Sequence, residues 1–236
     1  QSSSARFQAA IITPLEILRK KIADEKILRQ LDVIYKNAQE LYGLVNQLLD
    51  FRKIEMQMEK LHLTASDMEE FITSIHGLFL PFAVEKHLDF QLQVQDKHLF
   101  MYFDHDKLHK IVNNLLSNAF KFTPENGTVT LHLSKIQEQG RNYVKIAVAD
   151  TGIGIPEEQR SHIFERFYQV QNWDENKIGS GIGLHLVKEY IQIHEGRIEV
   201  TGKAGEGAGF ETNGGGECQG GNACRTGFGG SDRHLG

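Results

Sequence analysis

The chain has 236 residues, of which 40% are hydrophobic and 24% charged, and its formal net charge is −5. This composition is ordinary for a globular protein of one or two domains, and the acidic balance disfavours a nucleic-acid partner. No run of about 18 apolar residues occurs, so we expect no membrane span and no membrane contact by this piece, and the polar start lacks a signal peptide. The two cysteines favour a reduced, cytoplasmic setting.

Residues 13–59 are predicted to be helical, with Pro14 in the first turn. Their apolar positions form one stripe with steps of four and three and a second stripe with steps of seven. Together the stripes suit a helical hairpin that packs on itself and on a second copy in a four-helix bundle. The alternative is a single long core helix inside one domain. The stripes consist of Ile27, Leu31, Ile34, Ala38, Leu41, Val45 and Leu48, and of Leu28, Tyr35, Tyr42 and Leu49.

After residue 60 the pattern changes to mixed strands and helices without regular βαβ alternation, which predicts an α+β sandwich with helices on one sheet face. Ser66 and Glu69 have the spacing of a helix capping box. Pro156 is predicted to start a helix over "PEEQRSHIFERFY". We place the domains at residues 1–60 and 61–210. Residues 211–236 are predicted to be a glycine-rich tail, disordered or non-native, in which Cys218, Cys224 and His234 are a weak alternative metal site.

Two asparagines four residues apart, Asn114 and Asn118, lie in a predicted helix and are followed by Lys121. Polar amides within an apolar run either hydrogen-bond to neighbouring loops in the core or hold a ligand. An amide oxygen suits Mg²⁺, which prefers oxygen ligands, including those of a triphosphate. A lysine three residues later, on the same side of the helix, can reach a phosphate.

Three glycine-bearing segments follow: "DTGIGI" at 150–155, "GSGIGL" at 179–184 and "GEGAGF" at 205–210. Such glycines permit close backbone approach to a ligand, and a glycine-rich turn that opens a helix suits phosphate. The segments form neither a Walker loop nor a dinucleotide fingerprint. Asp150, at the end of an apolar strand, can accept a hydrogen bond from the exocyclic amine of a base. With the asparagine helix, these segments predict a nucleotide site.

In this order the segments resemble the ATP-site boxes of sensor histidine kinases. "NNLLSNAFKFT" resembles the N box, "DTGIGI" the G1 box, "IFERFYQV" the F box and "GSGIGL" the G2 box. "LVNQLLDFRKIE" is similar to the second dimerisation helix, particularly that of hybrid two-component sensors, and "ITPLEIL" resembles the end of the H box. The resemblance covers residues 12–210.

The resemblance implies a helical hairpin that forms a dimeric four-helix bundle, followed by an α/β-sandwich ATP-binding domain of the histidine kinase, gyrase and chaperone ATPase type. It implies ATP and Mg²⁺ as cofactors and phosphorylation of a histidine on the hairpin. The phosphoryl group would then pass to an aspartate in the receiver domain of a response regulator, which could be part of the same full-length chain. The piece would be the cytoplasmic portion of a membrane-anchored bacterial sensor.

The same resemblance implies the roles of the site residues. Asn118 would hold Mg²⁺, with Asn114 beside the phosphates and Lys121 on a phosphate. Asp150 would recognise the adenine amine. A lid over residues 169–180 would cover the phosphates, anchored by Phe164 and Phe167. The nucleotide-binding residues carried over by position are Asn114, Asn118, Lys121, Phe122, Asp150, Gly152, Gly154, Ile155, Lys177, Gly179, Gly181, Gly183 and Leu184.

The chain departs from the family at both ends. The phosphoacceptor histidine falls at Ala9 and the neighbouring acid/base glutamate at Ala10, so this chain cannot phosphorylate itself there. Because the match resumes at Thr13, a further catalytic position, we favour an altered sequence over a degenerate member. Ala208 replaces a threonine in the third glycine box, and the apolar strand expected after it is absent.

Three hypotheses follow. The first is the kinase core itself. The second is a pseudokinase scaffold that dimerises and docks a receiver domain. The third is another ATPase of the same superfamily, a topoisomerase, a chaperone or a protein-serine kinase, which the hairpin helix before the domain disfavours.

Overall fold

The computed structural model describes residues 6–56, 58–138, 141–169 and 179–215. The chain divides into two compact units, Gln1–Glu59 and Lys60–Gly236, next to the domain boundary predicted from the sequence. Within the described ranges, no helix combines the length and apolar character needed to cross a bilayer.

The first unit is a helical hairpin. A π-helical turn, Gln8–Ile12, leads into α1 (Thr13–Lys21), and α2 runs over Glu25–Glu55. The backbone N–H of Thr13 donates to the carbonyl of Gln8, five residues earlier. Pro14 gives this wider turn a physical reason, because proline has no N–H and its ring clashes with the carbonyl four residues before it in an α-helix. Asp24 caps α2 by accepting from the backbone N–H of Lys26 at 2.9 Å.

Polar and aromatic contacts join the two arms of the hairpin. Arg19 pairs with Asp32 at 2.6 Å, and the Tyr35 hydroxyl donates to Glu16 at 2.7 Å. The Tyr42 hydroxyl donates to Gln8 at 3.3 Å. The stripe that contains both tyrosines therefore faces the other arm, as expected for a hairpin that packs on itself.

The other predicted stripe, with steps of four and three, is uncovered within the unit at four of its positions, although Leu31 is buried. Ile27, Ile34, Leu41 and Leu48 are 47–53% exposed. The shorter arm adds exposed side chains at Ile17 and Leu18. An apolar face of this extent is typical of a surface that another protein covers.

The second unit consists of two sheets and three α-helices over its described residues. In chain order the elements are β1 (Thr64–Asp67), α3 (Met68–Glu85), β2 (Asp89–Val94), β3 (Phe100–Phe103), α4 (His105–Phe122), β4 (Thr128–Glu138), β5 (Arg141–Asp150), α5 (Gly183–Ile193), β6 (Arg197–Lys203) and β7 (Gly207–Gly215).

The main sheet has five strands in the order β2-β4-β5-β7-β6, and β1 pairs with β3 in a separate two-stranded sheet. β2 runs parallel to β4, whereas the other neighbours in the main sheet are antiparallel. Alternate residues of β4, Val129, Leu131 and Leu133, are fully buried and form the core with Leu115 and Leu116 of α4. The predicted α+β architecture, a hairpin followed by an α/β sandwich, is confirmed.

Three local predictions are wrong. The sequence after residue 210 was expected to lack a strand and to start the tail, but β7 continues to Gly215 and lies between β5 and β6. The N-cap of α3 is Asp67, which accepts from the N–H of Glu69 at 2.9 Å, and not Ser66. Pro156 precedes only a single 3₁₀ turn, Glu157–Gln159, because the following residues form turns. Cys218, Cys224 and His234 lie outside the described residues.

Candidate nucleotide-binding site

Helix α4 carries the two predicted asparagines. Asp104 caps its start by accepting from the N–H of Lys107 at 3.1 Å, and its apolar face is fully buried at Val112, Leu115 and Leu116. Asn114 and Asn118 lie at the edge of this face and are half-buried.

The two amides differ in their hydrogen bonds. The Asn114 amide nitrogen donates to the Lys110 carbonyl of its own helix at 2.8 Å. Among the residues that the structure describes, none hydrogen-bonds to the side chain of Asn118. The Asn114 nitrogen is therefore engaged within its own helix, whereas, among the described residues, both polar atoms of the Asn118 amide are open to a ligand.

The end of α4 lies against two of the glycine segments. A Cβ atom added to Gly179 would lie 3.5 Å from the Lys121 ammonium, and one added to Gly152 would lie only 2.6 Å from the Phe122 carbonyl oxygen. The Lys121 ammonium also lies 5.5 Å from the centre of the Phe122 ring. The structure therefore brings Lys121 to the start of "GSGIGL" and Phe122 to "DTGIGI". Only glycine fits at residue 152 without displacing backbone.

Asp150 is the last residue of β5, and its carboxylate lies beside Gly152 of "DTGIGI". Its Oδ1 atom accepts from the backbone N–H of Gly152 at 2.8 Å and from that of Ala208 at 3.4 Å. Burial raises the pKa of the Asp150 carboxyl, and these two N–H groups offset only part of the rise. A half-buried carboxylate with one oxygen held by the backbone is suited to accept from the amine of a base with the other.

Two of the predicted glycines adopt a backbone conformation that other residues rarely take. Gly154 and Gly181 both have a φ of 67°. A side chain on Gly181 would also lie 2.6 Å from the Phe167 backbone. Glycine is required at both positions because the backbone has a positive φ there and lies against the backbone of another segment. Ile155, after Gly154, is buried.

The segment "GSGIGL" opens α5, as predicted. Gly183 is the first residue of the helix, Leu184 follows in the first turn, and the Ser180 hydroxyl accepts from the N–H of Ile182 at 3.2 Å. The start of a helix has free N–H groups and the positive end of the helix dipole, which together attract phosphate. The amide of Gln169 donates to the Gly179 carbonyl at 2.7 Å and so joins the two described ends of the predicted lid.

Phe167 and Phe164 were expected to anchor that lid. The backbone N–H of Phe167 donates to the Gly181 carbonyl at 3.0 Å, whereas its ring is 61% exposed. The Phe164 ring lies 6.4 Å from that of Phe210 at a right angle. The contact that the structure describes between Phe167 and "GSGIGL" is this backbone hydrogen bond. Sequence reasoning missed His185 of α5, which contacts the Phe164 carbonyl through Nδ1 at 3.2 Å. No short motif signals such a contact.

The remaining predicted positions lie elsewhere. Lys177 is outside the described residues. Ala9 and Ala10 lie in the π-helical turn of the first unit and are exposed, and Thr13 begins α1. Alanine offers no nucleophile, so the structure contains no phosphoacceptor at these two positions.

The donors in the second unit fit a nucleotide with a divalent cation. A carboxylate at one end can bind a base, and an ammonium beside a glycine-rich helix start can bind phosphates. The Asn118 amide oxygen, with no partner among the described residues, is of the kind that Mg²⁺ accepts.

Comparison with known proteins identifies an ATPase-type domain within the second unit. The family described as histidine kinase-, DNA gyrase B- and HSP90-like ATPase matches residues 103–213. The chain is 38% identical over 184 residues to the sensor histidine kinase TmoS of Ectopseudomonas mendocina. The aligned residues make up 78% of this chain but only 18% of TmoS. This chain therefore spans about a fifth of that relative.

Solved structures share the architecture. Full-length ShkA, crystallised in complex with AMPPNP, is 28% identical with a TM-score of 0.72, covering 89% of this chain and 44% of ShkA. The histidine kinase ThkA, crystallised with the response regulator TrrA, has a TM-score of 0.63 at 23% identity, covering 89% of this chain and 58% of that chain. At that identity the ThkA likeness concerns the fold alone.

Proposed function

The chain belongs to the histidine kinase family through its ATPase domain, and on this premise we propose that it is the catalytic core of a two-component sensor kinase that binds ATP with Mg²⁺ in its second unit. One observation carries the proposal. The end of α4 contacts both glycine loops, with Phe122 against Gly152 beside Asp150, and Lys121 against Gly179 at the start of α5. A base site and a phosphate site are thus connected through two consecutive residues of one helix.

Each residue has a role in this proposal. Asp150 accepts from the adenine amine, and Lys121 with the N–H groups at the start of α5 binds the phosphates. Asn118 holds Mg²⁺, which when bound neutralises charge on the phosphates. Asn114 has a secondary role beside the phosphates, because its amide nitrogen already donates to the Lys110 carbonyl. Phosphoryl transfer depends mainly on positioning and charge neutralisation, and these residues supply both.

The first unit provides the proposed dimer interface. Its exposed stripe of Ile27, Ile34, Leu41 and Leu48 lies along α2, and a second copy would cover it in a four-helix bundle. We propose a receiver domain of a response regulator as the phosphoryl acceptor, as the resemblance to two-component sensor kinases implies. We further propose that the full-length protein is a membrane-anchored sensor of which this piece is the cytoplasmic portion.

A second candidate function is favoured by one observation. Ala9 and Ala10 are exposed alanines where the family carries its phosphoacceptor and acid/base residues. A chain with these residues would bind ATP and dock a receiver domain without phosphorylating itself. Both candidates share the nucleotide site, so binding has to be tested before transfer.

Calorimetric titration with MgATP tests the nucleotide site. We expect the unaltered chain to bind, and Asn118→Ala to lose most of the dependence of binding on Mg²⁺. Asn113→Ala is the matched control, because Asn113 is an asparagine on the same helix whose amide contacts His109 at 3.0 Å. An unaltered chain that does not bind MgATP, or equal losses in the two variants, would contradict the assignment.

Receiver-domain docking separates the two candidate functions. The unaltered chain is incubated with radiolabelled ATP and then tested for binding to a receiver domain. Acid-labile label on the chain supports a kinase with an unrecognised phosphoacceptor. Receiver binding without any label supports the scaffold.

A further inference from the structure

We propose that Arg160 is a positioning residue that sets the preference of the site for an amine-bearing base. Two segments matter here: the base loop, residues 150–155, and the β6–β7 turn, residues 203–207. Arg160 bridges the base loop to the last residues of β6, next to this turn. The inference rests on the proposed function, because it concerns how the Asp150 carboxylate is held for the base.

The base loop and the β6–β7 turn lie against each other through backbone atoms. The N–H of Gly205 donates to the Ile153 carbonyl at 2.7 Å. Gly154 approaches the Lys203 carbonyl so closely that a Cβ atom would overlap it. The N–H of Ala208, directly after the turn, donates to Asp150 at 3.4 Å. The orientation of the carboxylate therefore depends on where the turn lies.

Among the described residues, Arg160 is the cationic side chain that connects the base loop with the residue before the β6–β7 turn. One guanidinium N–H group of Arg160 donates to the Gly202 carbonyl, and its Nε–H lies 3.5 Å from the Ile155 carbonyl. Ile155 ends the base loop, and Gly202 immediately precedes Lys203 and the turn. A guanidinium is always charged and presents several N–H groups in a fixed plane, so one side chain can reach both carbonyls. Hydrogen bonds from a charged donor are also stronger than neutral ones.

The remaining hydrogen bonds between these parts of the chain come from backbone N–H groups, next to the point where β7 pairs with β5 at Gly209 and Ala149. Without Arg160, the turn is held on the loop by the Gly205 hydrogen bond and by the long bond from Ala208 to Asp150. That long bond is one of only two from backbone N–H groups to the carboxylate among the described residues. Loss of Arg160 therefore frees the carboxylate to rotate, which weakens recognition of the amine more than binding of the triphosphate.

The test compares the dissociation constants of MgATP and MgITP. ITP carries a carbonyl in place of the 6-amine, so the ratio of the two constants isolates the contact to Asp150. We expect the unaltered chain to prefer ATP by about tenfold or more, the value of one charged hydrogen bond. Arg160→Ala should bring the ratio to about one- to threefold, and Arg160→Lys to an intermediate value. Arg197→Ala, at the exposed other end of β6, should leave the ratio unchanged.

A merely structural role for Arg160 gives a different result, because general loosening weakens both nucleotides equally and preserves their ratio. An unchanged ratio in Arg160→Ala overturns the proposal. Asp150→Asn, which should abolish the preference, calibrates the assay. Amide hydrogen exchange in the protein without nucleotide is the independent readout: Arg160→Ala should speed exchange at Gly205 and Ala208, and unchanged exchange there also overturns the proposal. If the unaltered chain binds neither nucleotide, the proposed function fails, while the exchange result still decides the bridge.

Discussion

The ammonium group of Lys107 lies 2.9 Å from the carboxylate of Asp104, and these side chains are 4% and 3% exposed. The same ammonium donates to the Lys60 carbonyl at 2.8 Å, and the carboxylate accepts from the N–H of His62 at 2.8 Å. The pair thus joins the first turn of α4 to the backbone at residues 60–62, where the second unit begins. The helix that carries Asn114 and Asn118 is fixed at its start by a buried, fully hydrogen-bonded ion pair.

Removal of one partner of this pair should be costly. Lys107→Met leaves the Asp104 carboxylate buried without its cation, and we expect a loss of about 3 kcal/mol in the free energy of unfolding. Urea denaturation followed by circular dichroism measures it. The double variant Asp104→Asn with Lys107→Met should recover part of the loss, because no charge is then buried. Equal losses in the single and double variants would contradict this account.

The affinity for MgATP should depend on pH through Asp150. The carboxyl accepts from the adenine amine only when ionised, and its pKa is raised by burial, so affinity should fall as the pH drops towards that raised pKa. Titrations from neutral pH downwards, towards the ordinary range of a carboxyl group, measure the change. The same series with Asp150→Asn reports the titration of the nucleotide phosphates alone and should show a smaller fall in affinity.

The raised pKa has a second consequence for Asp150→Asn. A carboxyl whose pKa is raised on folding contributes to stability below the pKa of the unfolded chain, and that contribution is lost as the pH rises through the folded value. The substitution should therefore cost no stability at neutral pH, although it removes base recognition by roughly 10- to 150-fold. A destabilised variant would show that the carboxylate is needed for folding.

Phosphorylation should return with the missing side chains. Ala9→His combined with Ala10→Glu should yield acid-labile label from radiolabelled ATP, since both positions are exposed and accept larger side chains without repacking. Addition of Asn118→Ala to the double variant should remove the label. A double variant that binds MgATP yet stays unlabelled would show that the assigned positions are wrong.

The core of the second unit contains a cavity of about 40 Å³, lined in part by Val144, Ile146 and Thr212. Val144→Ile should fill it and raise the free energy of unfolding by about 0.8 kcal/mol, the value of one buried methylene. Val148→Ile on the same strand is the control. Val148 is 1% exposed and does not line the cavity, so the extra methylene should cost about 1 kcal/mol through overpacking. Similar changes in both variants would contradict the assignment of the cavity.

The sequence was most informative where its pattern is periodic or its motifs are ordered. The hairpin, the asparagine helix and the helix that "GSGIGL" opens all follow from such patterns. β7 could not be predicted, because residues 211–215 have no apolar alternation. They form a strand because β5 pairs with all of them and β6 pairs with those up to Asn213, and the Thr212 hydroxyl donates to the Ile146 carbonyl at 3.2 Å. Pairing of this kind is decided by neighbours distant in sequence.

Sequence patterns also could not predict the hydrogen bonds that Arg160 and His185 make to distant backbone carbonyls. Arg160 contacts a carbonyl 42 residues away, and His185 contacts one 21 residues away. Each is a single side chain whose partner is a backbone atom, and backbone atoms carry no residue signature. The cap at Asp67 rather than Ser66 is a smaller case, in which two adjacent residues could serve and the tertiary structure selects one.

The π-helical turn at Gln8–Ile12 determines the direction in which residue 9 points. A π turn holds one residue more than an α turn, so side chains before it are rotated by about 100° relative to a continuous α-helix, the angle between successive residues. Pro14 accounts for this turn, and through the turn it fixes the direction of the side chains that precede it. A histidine introduced at residue 9, within the turn, would take its direction from this wider path, and replacement of Pro14 by alanine would turn it towards a different side of the helix.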